Sequence, residues 1–166
     1  YTADNVSPQI KVVDRLTGTT TNWGPALPDM IVGSGLAWDP MNRYIAVPRE
    51  QNNNLVLLSR GNFSAPIIVG PGVMPTFSAN GSTLAYVTLD GKVGLFNVGS
   101  RTTRILNPTN QVETVSFARD GKSLLVTAIY KTGPGSSEAR IASMSLTTGD
   151  LNFLSMPEAP QPQVLV

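Results

Sequence analysis

The feature of this sequence that most constrains its fold is a repeat of about 40 residues. Trp38, Phe77 and Phe117 stand at equivalent points of three copies, 39 and 40 residues apart. In each copy the aromatic residue is followed by a turn segment and then by an apolar strand pattern. The turn segments are residues 39–42, 79–82 and 119–122. A repeat of this length built from short strands is typical of the blades of a β-propeller. Because the three aromatic residues share one repeat position, we expect them to be buried between neighbouring blades.

The copy at residues 74–106 shows how many strands one repeat contains. Residues 83–88 alternate between large apolar and small or polar side chains, as a half-buried strand does. Asp90-Gly91 and Gly99-Ser100 then supply the tight reversals that connect antiparallel neighbours. The sequence therefore predicts an all-β fold in which each blade is a four-stranded antiparallel meander.

The repeat divides a single propeller-like domain, residues 1–166, into unequal parts. Residues 10–18 match residues 141–149, the third strand of the last copy, so the chain shows half a blade before the first whole one. The predicted parts are a half-blade at residues 10–23, a first blade at 34–70, a second at 74–106, a third at 114–154, and a proline-rich tail at 157–166.

Three and a half blades leave two open faces, because a propeller removes its sheet edges only by closing a ring, typically of four to eight blades. Three explanations remain open. The sequence is part of a longer chain, or another protein subunit or a second copy completes the ring, or Val164-Leu165-Val166 closes a small ring with the half-blade. Since the half-blade lacks its two inner strands, we expect Ile10 and Val12 to contact a partner.

Two copies carry a pattern of aromatic residue, Ser or Ala, any residue, Asn or Asp, Gly, and Leu three residues later, at residues 77–84 and 117–124. This pattern resembles the WD-like repeat of TolB-type β-propellers. The copy at residues 38–44 departs from it because it lacks the glycine. The resemblance covers about 130 of the 166 residues and implies a particular type of propeller blade. It does not specify a function, because such repeats occur both in periplasmic scaffold proteins and in the gating domains of peptidases.

Composition excludes several classes of function. The 166 residues include no histidine and no cysteine, which removes the commonest general base, the commonest metal ligand and every thiolate. Lys and Arg number 12 and Asp and Glu number 11, so the net charge of +1 gives no general attraction to nucleic acid. The sequence contains no run of about 18 apolar residues, so it predicts no transmembrane segment. We therefore predict no catalytic residue, no cofactor and no metal site.

Two segments between second and third strands are the candidate contact sites. Arg49, Glu50, Asn52 and Asn53 offer a charge pair and amide groups at an end of the propeller where loops commonly bind ligands. Lys131 opens a longer insertion, residues 131–139, which is predicted to form a contact loop.

These observations predict a non-catalytic interaction or scaffold module in a larger assembly, with other protein subunits or a second copy as partners. The alternative is a gating or substrate-binding propeller of a peptidase or other hydrolase whose catalytic part lies outside this sequence. Charged residues make up only 14% of the chain, and small polar residues are plentiful, which favours a periplasmic or extracellular protein.

Overall fold

The computed structural model describes residues 8–31, 33–50, 53–60 and 62–154, and its secondary-structure elements are all β-strands. The fold class is therefore all-β, as predicted. The proline-rich tail, with Val164–Val166, lies outside the described residues. The fourteen strands are β1 (Lys11–Val13), β2 (Thr20–Asn22), β3 (Ala37–Trp38), β4 (Tyr44–Pro48), β5 (Asn54–Ser59), β6 (Asn62–Pro71), β7 (Val73–Phe77), β8 (Thr83–Val87), β9 (Val93–Asn97), β10 (Thr102–Leu106), β11 (Val112–Phe117), β12 (Ser123–Gly133), β13 (Ser136–Ser145) and β14 (Leu151–Phe153).

The strands form three four-stranded sheets and one two-stranded sheet. Each four-stranded sheet is an antiparallel meander: β3 to β6 form the first blade, β7 to β10 the second, and β11 to β14 the third. β1 and β2 form the half-blade. The first strand of the second blade contacts the first strands of both neighbouring blades, so these strands converge on one side of the molecule.

The core lies between the sheets, where each pair of consecutive sheets encloses one cluster of buried apolar side chains. Burial of such side chains stabilises a fold by about 1.5–3 kcal/mol each, and here that energy joins neighbouring sheets. The fully buried members include Ile45 and Leu58 beside the half-blade, Leu57 and Leu84 between the first and second blades, and Val93, Leu124 and Met144 between the second and third.

The repeated aromatic residues occupy equivalent positions, but they are only half-buried. Trp38, Phe77 and Phe117 are each the last residue of the first strand of a blade, and each packs against the cluster shared with the preceding sheet. The predicted equivalence is confirmed, whereas the predicted burial is only partial, since each ring packs against its cluster without being enclosed by it. Trp38 also directs its indole N–H to the side-chain oxygen of Asn42, 2.7 Å away.

The turn that lacks the repeat glycine has the same conformation as the other two. Asn42, Gly81 and Gly121 have φ angles of 58°, 66° and 65°, and the N–H of each donates to the carbonyl three residues earlier. Asparagine tolerates this left-handed conformation better than other residues with a side chain. The departure of the first blade from the repeat pattern is therefore a change of residue without a change of backbone.

The insertion at residues 131–139 differs from the predicted loop, because it continues the β-ladder. β12 and β13 pair beyond the length of the other blades, with Tyr130 opposite Glu138 and Lys131 opposite Ser137. The reversal is confined to a short turn containing Gly135, whose φ is 73°. We call the extension of these two strands, residues 129–140, the hairpin arm.

Candidate interaction surfaces

The third blade has one face packed on the second blade and one face directed away from it. Leu124, Val126 and Met144 lie in the cluster shared with the second blade. Because successive side chains of a strand point to opposite faces, Leu125 and Ile141 lie on the other side. We call this side the outward face.

The outward face exposes positions that are fully buried in the other blades. Leu125 is 40% exposed and Ile141 is 53% exposed. The strand registers, anchored on the repeated aromatic residues, identify their counterparts in the first and second blades. Those counterparts are 0% exposed, because the next blade covers them: Ala46 and Ala85 for Leu125, and Leu55 and Val93 for Ile141.

Polar residues share the outward face with these apolar side chains. Ser143 lies opposite Leu125 in the ladder, where the other blades have a leucine. The hydroxyl of Thr114 donates to the hydroxyl of Thr127 over 2.9 Å, so this polar pair is satisfied within the sheet. The outward face of the third blade therefore carries both apolar and polar groups.

The hairpin arm carries charged and aromatic side chains, and alternation places Tyr130, Glu138 and Arg140 on the side of Leu124 and Val126, opposite the outward face. The guanidinium of Arg140 lies over the ring of Tyr130, 4.2 Å from its centroid, and forms an ion pair with Glu138. The ring of Tyr130 packs edge-on against Phe153, with centroids 5.2 Å apart. Lys131 is exposed on the same arm. The arm therefore presents a cation and a supported aromatic surface beyond the body of the blade.

The segment after β4 does not contain the charge pair of Arg49 with Glu50 that the sequence suggested. Arg49 is half-buried and forms its ion pair with Asp29 of the preceding segment, not with Glu50. The N–H of Glu50 donates to the carbonyl of Asp29 over 2.7 Å, which fixes the two segments side by side. Asn53 is exposed with a φ of 51°. Asn52 lies outside the described residues.

Ile10 and Val12 of the half-blade, which were predicted to contact a partner, pack against the first blade of the same chain. Ile10 is buried in a cluster with Trp23 and the first blade, and Val12 packs against the same cluster. Their side chains therefore face the chain's own core, and Ile10 is too buried to contact a partner. The exposed apolar side chains of this sheet and its turn are Val13 and Leu16, the latter 98% exposed. Alternation along β1 explains Val13, and sequence reasoning did not single out either residue.

An ion pair between the buried carboxylate of Asp39 and the exposed side chain of Arg43 connects the first blade to the second. The carboxylate of Asp39, 0% exposed, accepts hydrogen bonds from the Nε of Arg43 at 2.7 Å and from the backbone N–H groups of Met41 and Arg43. The Nη2 of Arg43 donates to the carbonyl of Gly81 over 2.7 Å. Burial acts to raise the pKa of Asp39, but the hydrogen bonds and the charge of Arg43 outweigh it and lower that pKa. We call this ion pair, with its hydrogen bond to Gly81, the latch. Its only sequence signal is an aspartate followed four residues later by an arginine.

Within the described residues, no group of three or more Asp and Glu side chains is placed to hold a metal ion. In that same part of the chain, no helix has the length and apolar character needed to cross a membrane.

Solved structures with the same arrangement of sheets are β-propeller proteins. The hydrazine synthase of Kuenenia stuttgartiensis matches with a TM-score of 0.64 and 18% identity, over 86% of this chain and 41% of that chain. The tricorn protease matches with a TM-score of 0.59 and 12% identity, over 86% of this chain and 16% of that one. This chain has a β-propeller fold.

The dihydro-heme d1 dehydrogenase NirN, in complex with DHE, matches with a TM-score of 0.59 and 14% identity, over 90% of this chain and 32% of that one. At these identities the similarity shows the fold alone. The chain spans less than half the length of each of these three proteins. No family model matches the sequence, and comparison with curated proteins finds no match.

Proposed function

We propose that this chain is a non-catalytic interaction module, a segment of a β-propeller that packs against further protein through the outward face of its third blade. The observation that carries the proposal is the exposure of Leu125 and Ile141 at positions that the next blade covers in the rest of the chain. Exposed apolar side chains grouped on one sheet mark an interaction site. The partner is another protein subunit or a second copy, and the hairpin arm adds Lys131 to the contact.

The type of repeat and the location belong to the same proposal. The pattern at residues 77–84 and 117–124 supports TolB-type repeats, and Asn42, with the backbone conformation of the repeat glycine, extends it to the first blade. The lack of histidine and cysteine supports a binding role over catalysis. The low content of charged residues supports a location in the periplasm or outside the cell.

A gating or substrate-binding propeller of a hydrolase is the second candidate. It is favoured by the structural similarity to the tricorn protease, in which the match covers 16% of the chain. A hydrolase domain encoded in the same reading frame would decide for this candidate.

The proposal is tested by measuring self-association of the 166-residue chain by sedimentation velocity over a range of concentrations. We expect concentration-dependent association that Ile141→Lys weakens by roughly four- to tenfold, because association would bury the exposed half of this side chain, worth about 0.8–1.5 kcal/mol. Leu89→Lys is the matched control, since Leu89 is 57% exposed but lies in the turn between β8 and β9. We expect Leu89→Lys to associate like the parent chain.

A parent chain that stays monomeric at every concentration contradicts assembly through copies of itself. Equal effects of the two lysine variants contradict the outward face as the contact surface. In both variants, an unchanged circular dichroism spectrum establishes that the sheets are intact.

A further inference from the structure

A groove of about 590 Å³ lies between the first and second blades on the side of their outer strands. Tyr44, Leu57 and Ile67 form much of its apolar wall, and Arg101 of the second blade lies at its margin. The volume falls within the roughly 300–1,000 Å³ usual for small-molecule sites. The groove is separate from the outward face of the third blade.

The equivalent groove between the second and third blades is bridged. Its volume is about 240 Å³, and Arg104 lines it. The guanidinium of Arg104 donates to the carbonyl oxygens of Leu146 and Thr147 in the third blade. In the second blade Arg104 pairs with Leu95, and in the first blade Ile67 pairs with Leu57. Ile67 therefore occupies the position of Arg104, and the first blade has no arginine there to reach the next blade. The wider groove therefore results from the loss of one bridging side chain.

Arg101 has a backbone conformation that suits glycine. Its φ is 57°, and its N–H donates to the carbonyl four residues earlier. Gly18 and Gly149 close the corresponding turns of the half-blade and the third blade, with φ angles of 71° and 82° and the same hydrogen bond. A side chain at such an angle is strained, and residues held in this way concentrate at functional sites.

The positive charge of Arg101 favours a ligand with a negative charge. Among the described residues that line the groove, Arg101 is the only charged one, and none of them is a carboxylate. Across the described residues, the guanidinium of Arg101 has neither an ion pair nor a hydrogen bond. We propose that this groove binds a small amphipathic anion, an apolar body with one carboxylate, which Arg101 pairs with while Tyr44 and Ile67 contact the apolar part.

The test uses the 166-residue chain and the probe decanoate below its micellar concentration, with decyltrimethylammonium as the probe of opposite charge. We expect calorimetric binding of decanoate, with amide shifts confined to the groove around Ile67 and Arg101. Arg101→Gly is expected to weaken that binding at least tenfold. Because glycine relieves the strain at this turn, the same variant is expected to unfold at a temperature equal to or a few degrees above that of the parent.

Arg119→Gly is the control, since Arg119 is exposed in a turn of the third blade, and it is expected to leave decanoate binding unchanged. Three results each overturn the proposal. Decanoate binds equally to the parent and to Arg101→Gly, or decyltrimethylammonium binds as tightly as decanoate, or Arg101→Gly lowers the unfolding temperature and so shows that Arg101 serves the fold.

Discussion

Gly81→Ala and Gly121→Ala form a pair of substitutions that measures the latch between the first and second blades. Both glycines close the same turn, with φ angles of 66° and 65°. A Cβ at Gly81 would lie 2.4 Å from the Oδ1 of Asp39 and 2.9 Å from the Nη2 of Arg43. A Cβ at Gly121 meets no other described atom within 4 Å beyond its chain neighbours. The two variants therefore share the backbone cost and differ in the latch.

The shared cost is small. Alanine in a left-handed conformation costs about 1–2 kcal/mol, and a stiffer unfolded chain offsets roughly 0.4–1 kcal/mol of it. We expect Gly121→Ala to lower the free energy of unfolding by about 0.5–1 kcal/mol. At Gly81 the added methyl group must also displace Asp39, which is fully buried, and a lost hydrogen bond to a charged group costs about 1.5–3 kcal/mol. The total expected for Gly81→Ala is about 2–4 kcal/mol.

Thermal unfolding followed by circular dichroism measures the difference. For a chain of this size 1 kcal/mol shifts the unfolding temperature by roughly 2–4 °C, so a difference of about 1.5–3 kcal/mol places the unfolding temperature of Gly81→Ala about 3–12 °C below that of Gly121→Ala. Equal unfolding temperatures would refute the reasoning, because they would show that the ion pair moves aside at no cost.

Two further predictions concern the same contacts between blades. Arg104→Ala should lower the free energy of unfolding by about 1–2 kcal/mol, because it removes the hydrogen bonds to the third blade, and urea unfolding with no such change would contradict the bridge. Because its pKa is lowered from the ordinary 3.8, Asp39 contributes stability that is present above pH 4 and is lost as the pH falls through the lower folded value. Asp39→Asn should be less stable than the parent at pH 7 and lose less stability between pH 5 and pH 2, and parallel pH profiles would contradict this assignment.

The sequence by itself determined the repeating part of the structure. The spacing of Trp38, Phe77 and Phe117 predicted the blades, and turn residues such as Asp90-Gly91 predicted where the strands reverse. These features are local, because a reversal depends on a few φ angles and a half-buried strand on alternation every two residues. Local signals were therefore sufficient for an all-β fold of four-stranded meanders.

Only the tertiary structure decided which groups face one another across sheets. Sequence paired Arg49 with its neighbour Glu50, but the ion pair forms with Asp29, which is distant along the chain. Ile10 was expected to contact a partner, but it is buried against the first blade. The exposure of Ile141 likewise depends on a face having no neighbouring sheet among the described residues. Strand alternation fixes the face on which a side chain lies, whereas burial and ion pairing depend on what packs against that face, which no local pattern encodes.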